Sequence, residues 1–152
     1  MAIDRASALA LEFESLVVDI ERGRIRFFSR TIGETNPVYL DVEAARAAGH
    51  RDIVVPPTYL FNLGLETADP FAYLVRLGID LGRILHGEQS FEYHALAYAG
   101  DRLRFDDRIV DITEKREGAL ELITKEARVT RNGENIADLR SVIVVRNPEV
   151  SA

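Results

Sequence analysis

The side chains best suited to chemistry sit together in one short stretch, GETNPVYLD, from Gly33 to Asp41. Glu34 supplies a carboxylate, Asn36 an amide and Tyr39 a phenol. A residue before proline is biased toward extended backbone, and Pro37 itself is rigid. The stretch is therefore a fixed turn that aims Glu34 and Tyr39 in set directions. Two readings stand side by side: a capped turn between helices, and a rigid polar loop that lines a pocket. A second feature is the Pro56-Pro57 pair opening an apolar segment. The first N–H groups of a helix have no intrahelical partner. Those of Thr58, Tyr59 and Leu60 are thus free to meet a polarised carbonyl or a developing oxyanion.

Three histidines complete the inventory. His50 follows a helix end and reads as a solvated residue. His86 and His94 lie in HGEQSFEYH, and their even separation puts them on one face of an unbroken strand. They read as structural or pocket-lining groups, because no metal motif such as HExxH is present. No glycine-rich phosphate loop or nucleophile elbow occurs either. The chain has no cysteine, which removes thiolate chemistry, disulfides and zinc–thiolate sites. No metal and no cofactor is expected.

The elements that must hold these groups are legible from periodicity. Phe13, Leu16, Val17 and Val18 suit a short strand or an extended lead-in. Asp19 is placed to cap a helix over ERGRIRFFSRTIG, with Ile25, Phe28 and Ile32 at helical spacing and Gly33 as terminator. Asp41 caps a second short helix, DVEAARAAG. From Pro57 to about Ala68 the apolar residues surround most of a helix, which predicts a buried central one. Leu74 to Leu85 is interrupted by Gly78 and Gly82 and has no clear pattern. Beyond Leu85 the chain reads as strands in an antiparallel meander. Asn132-Gly133 is a type I′ hairpin signal that sets Arg131 opposite Glu134. Val142 to Val145 is continuously apolar, as in a strand covered on both faces. Helices followed by strands predict an α+β fold, and 152 residues predict a single domain, 1–152.

Composition narrows the partners. Hydrophobic residues are 47% and charged residues 29%, the net charge is −6 and the pI is about 5.1. An acidic surface is a poor match for nucleic acid or an anionic membrane. The N-terminus lacks the layout of a signal peptide, and no apolar run reaches the roughly 20 residues that span a bilayer. A cytoplasmic location is expected.

Taken together, GETNPVYLDVEAARAAGHRDIVVPPTYLF and LHGEQSFEYHALAYAGDRL resemble the MaoC-like hot-dog dehydratases and hydratases, over about Glu21 to Val145. The likeness is to their N-terminal-type dehydratase domain, which includes A-type subunits of hydroxyacyl-carrier-protein dehydratases and mesaconyl-CoA hydratase relatives. The resemblance implies a hot-dog fold, with a long central helix wrapped by a curved antiparallel sheet. It implies a homodimer, or a heterodimer with a second hot-dog subunit, that binds a CoA or acyl-carrier-protein thioester. It also implies that the catalytic aspartate of the family falls on Glu34 and the histidine on Tyr39, with Asn36 and Pro37 retained. Glu34 keeps the charge but is one methylene longer, and catalytic geometry is sensitive to about 1 Å. A phenol is a poor general base at neutral pH.

Three functions follow from the resemblance. The chain is the substrate-binding half of a heteromeric dehydratase, or a self-sufficient hydro-lyase acting on (3R)-hydroxyacyl and trans-2-enoyl thioesters, or a non-catalytic acyl-CoA-binding module. A hot-dog acyl-CoA thioesterase is a further alternative. The expected site is Glu34, Tyr39 and Asn36, with Thr58 and Tyr59 N–H on the thioester carbonyl. Pro57, His86 and His94 line the substrate, and Phe71, Tyr73 and Leu74 shape an acyl tunnel. Arg102, Arg104 and Arg108 either meet a phosphorylated ligand or are solvated strand residues.

Overall fold

The computed structural model describes residues 3–147. Residues 1–2 and 148–152, the two ends of the expected domain, lie outside them. The elements are α1 (Arg5–Leu9), β1 (Leu16–Asp19), α2 (Arg22–Thr31), α3 (Val42–Ala47), α4 (Tyr59–Leu63) and α5 (Ala72–Arg76), then β2 (Ile84–Tyr93), β3 (Arg102–Lys115), β4 (Leu120–Arg131) and β5 (Glu134–Arg146). The five strands form one antiparallel sheet in the order β1-β3-β4-β5-β2. Among the described residues no helix is long and apolar enough to cross a membrane.

The sheet packs against α4. Tyr59, Leu60 and Leu63 of α4 join Leu103, Phe105, Val129 and Leu139 of the strands in one buried cluster. A second cluster, around Tyr73, Leu74, Ile112, Ile123 and Ile143, lies beyond the end of α4. This is the helix-in-sheet arrangement of the hot-dog resemblance, but the helix is shorter than its apolar pattern predicts. Gly64 caps α4. Leu65 and Glu66 N–H then bond to Asn62 and Leu63 oxygens in tight turns. Asp69 Oδ1 accepts from Phe71 N at 3.0 Å, and α5 begins after Pro70. α4 thus ends inside the predicted Pro57–Ala68 span, and α5 is a separate short helix beyond Pro70.

The strand pattern also departs from a simple meander. β3, β4 and β5 do run consecutively, and the Asn132-Gly133 hairpin forms with both residues at positive φ, 49° and 85°. Arg131 stands opposite Glu134, and their charged ends are 2.7 Å apart. β2, however, pairs with β5 and not with β3. The segment 94–101 carries the chain across the sheet and bonds on the way to residues 53–55, through Val55 N to Ala97 O and Ala99 N to Ile53 O, both 2.9 Å. Within β5, Ile143 and Val145 are buried, while Val142 and Val144 are half-buried.

Two helix starts separate prediction from outcome. Asp41 caps α3 as expected, accepting from Ala44 N at 2.8 Å. Asp19 does not cap α2. It ends β1, and Glu21 occupies the cap position without a side-chain bond.

Candidate functional site

The Gly33–Asp41 loop is built from its own backbone inward. α2 ends at Thr31, and Gly33 follows at φ +73°, donating to Arg30 O at 3.1 Å. Glu34 N then bonds to Ser29 O at 2.8 Å. Asn36 is extended, as its place before proline requires, and its Oδ1 accepts from Val38 N at 3.1 Å. Pro37–Tyr39 is a 3₁₀ turn. The loop is tied to the approach to α4 by Val54 N, which donates to Val38 O at 3.1 Å.

Glu34 is the informative residue. Its Oε1 accepts from Thr35 N and from Asn36 N, each at 2.8 Å. The carboxylate is folded back onto the loop that carries it. Two backbone donors on one oxygen hold the loop and turn the carboxylate toward its own backbone. Replacing Glu34 with alanine is expected to lower the unfolding free energy by about 1 kcal/mol. Glu34→Gln keeps an acceptor oxygen and should unfold at the wild-type midpoint. Urea denaturation of the two variants checks both outcomes.

Tyr39 is half-buried and faces a group that the sequence reading missed, Tyr93 at the end of β2. The Tyr93 hydroxyl donates to Pro57 O. Burial first, and then the nearby Tyr39, push the Tyr93 phenol well above its ordinary range, so it stays protonated. Phe91 and Tyr93 alternate inward along β2, and that period-2 pattern was the available signal. Tyr93 therefore joins the loop side of the site to the start of α4.

At that start Tyr59 N–H is already committed, donating to Pro56 O at 3.0 Å. Among the described residues no acceptor is found for Thr58 or Leu60 N–H. Of the two donors expected to receive the thioester carbonyl, Thr58 keeps its N–H free and Tyr59 does not. Pro57 is exposed and contributes its carbonyl to Tyr93.

The histidines come apart. β2 carries a bulge at Gly87, so that His86 stands opposite Ile143 and Glu88 opposite Val142. A Cβ at Gly87 would meet Val144 Cγ2 at 2.9 Å, so the bulge needs glycine. The extra residue reverses the alternation. His86 points to the helix side and stacks on Phe61 at 5.1 Å. His94 lies just past the strand end on the opposite face, with Nε2 2.8 Å from Asp138 Oδ2. The expectation that they share a face is corrected by that bulge. His50 is half-buried and not simply solvated: its Nδ1 lies 3.3 Å from the Tyr98 hydroxyl.

Of the tunnel residues, Tyr73 and Leu74 are buried in the second cluster, and Phe71 is exposed. Arg102, Arg104 and Arg108 are exposed on β3 and lie beside Asp19, Asp106 and Glu126.

Comparison with known proteins places this geometry. A family model described as "FAS1-like, dehydratase domain region" matches residues 7–139. A UPF0336 protein of Parafrankia sp. is 39% identical over 132 residues, covering 84% of this chain and 83% of that one. Two solved structures share the fold. One is the ChsH1–ChsH2 complex from Mycobacterium tuberculosis, with a TM-score of 0.78 and 22% identity over 96% of this chain and 95% of that chain. The other is a C-terminally truncated HadBC (3R-hydroxyacyl-ACP dehydratase) complex from the same organism, with a TM-score of 0.72 and 20% identity over 88% and 99%.

Proposed function

The chain belongs to the FAS1-like dehydratase domain region family, and from that premise we propose that it is the substrate-binding half of a heteromeric hydro-lyase. The reaction is the addition or removal of water across the α,β bond of a trans-2-enoyl or (3R)-hydroxyacyl thioester, carried by CoA or by an acyl-carrier protein. The observation that carries this reading is the Glu34 carboxylate, bound to Thr35 and Asn36 N–H of its own loop.

In this reading the chain binds and orients. The thioester carbonyl rests on Thr58 and Leu60 N–H at the start of α4, and those donors stabilise the negative charge that builds on its oxygen. Tyr39 and Tyr93 form the wall beside it. Glu34 and Asn36 hold the loop in position. A second hot-dog subunit supplies the carboxylate and imidazole that hold the water and move its proton. The two fold neighbours named above are complexes of two different chains, which supports a partner of this kind. The absence of cysteine suits a reducing cytoplasm.

The test is the native mass of the assembly purified from its own cells. A stoichiometric complex with a second, different subunit is expected. A homo-oligomer that hydrates enoyl thioesters by itself would overturn the reading.

A further inference from the structure

The inner face of the sheet is not apolar throughout. Ile109, Lys125, Ser141 and Gln89 stand side by side across β3, β4, β5 and β2, and Asp107 sits one row away. Lys125, Ser141 and Gln89 make a polar row between the two hydrophobic clusters, and Ile109 at its end belongs to the second. Lys125 Nζ is 2.6 Å from Asp107 Oδ2, with the two side chains 19% and 21% exposed. The ammonium also lies 5.9 Å from the Phe13 ring and 5.6 Å from the Tyr73 ring. A largely buried ion pair adds little stability over apolar residues of the same volume. Gln89 Oε1 is buried and has no donor among the described residues, an arrangement native proteins rarely keep without a use.

Space reaches these groups. A pocket of about 300 Å³ opens between segments 12–16 and 67–76. A smaller cavity of about 40 Å³ lies beneath Phe61, Gly64 and Leu65 and touches Gln89 and Ser141. The two share Gly64, Phe105, Asp107 and Lys125 as walls. Gly64 lies on the shared wall beside Phe105, where a Cβ would stand 3.6 Å from Phe105 Cδ1. Apolar walls around a few convergent polar groups are the usual composition of a small-molecule site.

We propose that this passage binds a short aliphatic chain ending in a hydroxyl, with the hydroxyl among Gln89, Ser141 and Lys125. A hydroxyl both donates and accepts. It gives Gln89 Oε1 the donor it lacks and accepts from Lys125 or Ser141. A charged terminus does not fit, because Lys125 and Asp107 already neutralise each other and a third buried charge would have no partner. Glu12, Glu14 and Asp69 against Arg76 at the mouth oppose a carboxylate further. Burial first, and then Asp107, push the Tyr73 phenol up to about 12, so that wall stays neutral. Two sources offer this chemistry. One is the far end of a thioester-linked acyl chain, which rests on the function proposed above. The other is a free alcohol, which does not.

The experiment follows the Gln89 side-chain amide by NMR in the labelled full-length chain. The probes are 1-hexanol, hexanoate, octanoyl-CoA and ω-hydroxyoctanoyl-CoA. 1-Hexanol is expected to shift Gln89 saturably and to bind at least about ten-fold more tightly than hexanoate. Gln89→Leu, followed through the amides of Lys125 and Ser141, should weaken 1-hexanol about ten-fold, the loss of one hydrogen bond. Ser141→Ala should weaken it as well and serves if Gln89→Leu does not fold. A Gln89 shift with ω-hydroxyoctanoyl-CoA but not octanoyl-CoA identifies the acyl chain as the source. A shift with 1-hexanol alone supports the site while counting against the thioester reading. If neither hydroxyl probe shifts Gln89, or if hexanoate binds as tightly as 1-hexanol, the proposal is overturned.

Discussion

Replacing Asp101 with alanine is expected to cost about 3–5 kcal/mol of unfolding free energy, the range for removing one partner of a buried ion pair. Asp101 is 5% exposed, at the entrance to β3. Its Oδ2 accepts from Arg131 Nη1 at 2.6 Å and from Tyr98 N at 2.9 Å, and its Oδ1 binds Arg51. The carboxylate thus ties three places together: the loop after α3, the crossing segment 94–101, and the β4–β5 hairpin through Arg131. Without it Arg51 loses its carboxylate partner, and Arg131, itself largely buried, is left with Glu134 alone. Arg51 stacks on Tyr98 at 4.6 Å and is half exposed, so Arg51→Ala should cost much less.

The same residue gives a pH signature. Burial alone would raise the Asp101 carboxyl. The hydrogen bonds from Arg51, Arg131 and Tyr98 N outweigh it and hold the group below its ordinary value of 3.8. A carboxyl lowered in the folded state contributes stability above the unfolded value, and loses it as pH falls through the folded one. Wild type should therefore lose stability between pH 4 and pH 2 more steeply than Asp101→Ala. Urea midpoints across that range, set beside those at pH 7, measure the difference.

The second large effect concerns turnover. The chain alone is expected to hydrate trans-2-enoyl-CoA at least about 100-fold more slowly than the assembly containing its partner. Positioned proton transfer contributes about 10²–10⁴ in rate, and in the proposed reading the partner subunit supplies the groups for it. Glu34 Oε1 accepts from two backbone donors, and the other two side chains, Tyr39 and Tyr93, are phenols. The proposal leaves binding to this chain, through a rigid loop, the free N–H groups of Thr58 and Leu60, and a tyrosine wall. Initial rates with the isolated chain and with the co-purified assembly, at equal concentration of this chain, make the comparison.

Much of this arrangement is written locally in the sequence. The turn at Gly33, the Asp41 cap and the Asn132-Gly133 hairpin depend only on a few adjacent residues, and each forms as read. The loop at Glu34 was likewise visible as rigid and polar. Its carboxylate direction was not, because that depends on which backbone N–H groups the turn presents. Long-range pairing was also hidden. Nothing in HGEQSFEYH says that β2 reaches β5 across the sheet. Gly87 did carry a signal, since an isolated glycine in a strand marks a bulge, and it separates His86 from His94. Lys125 stands at an inward-facing position between Ile123 and Ala127. A charge on the core side of a strand is an anomaly of pattern, and it leads to the polar row under Gly64.

The central claim is that the Glu34 carboxylate positions the loop and does not handle the water. The most direct measurement is kcat for enoyl-thioester hydration by the native assembly carrying Glu34→Gln. The amide keeps an acceptor for Thr35 and Asn36 N–H but cannot take a proton. A kcat within about three-fold of wild type is expected. A loss of about 100-fold or more with the fold intact, the scale of a missing general base, would contradict the claim and make Glu34 the base.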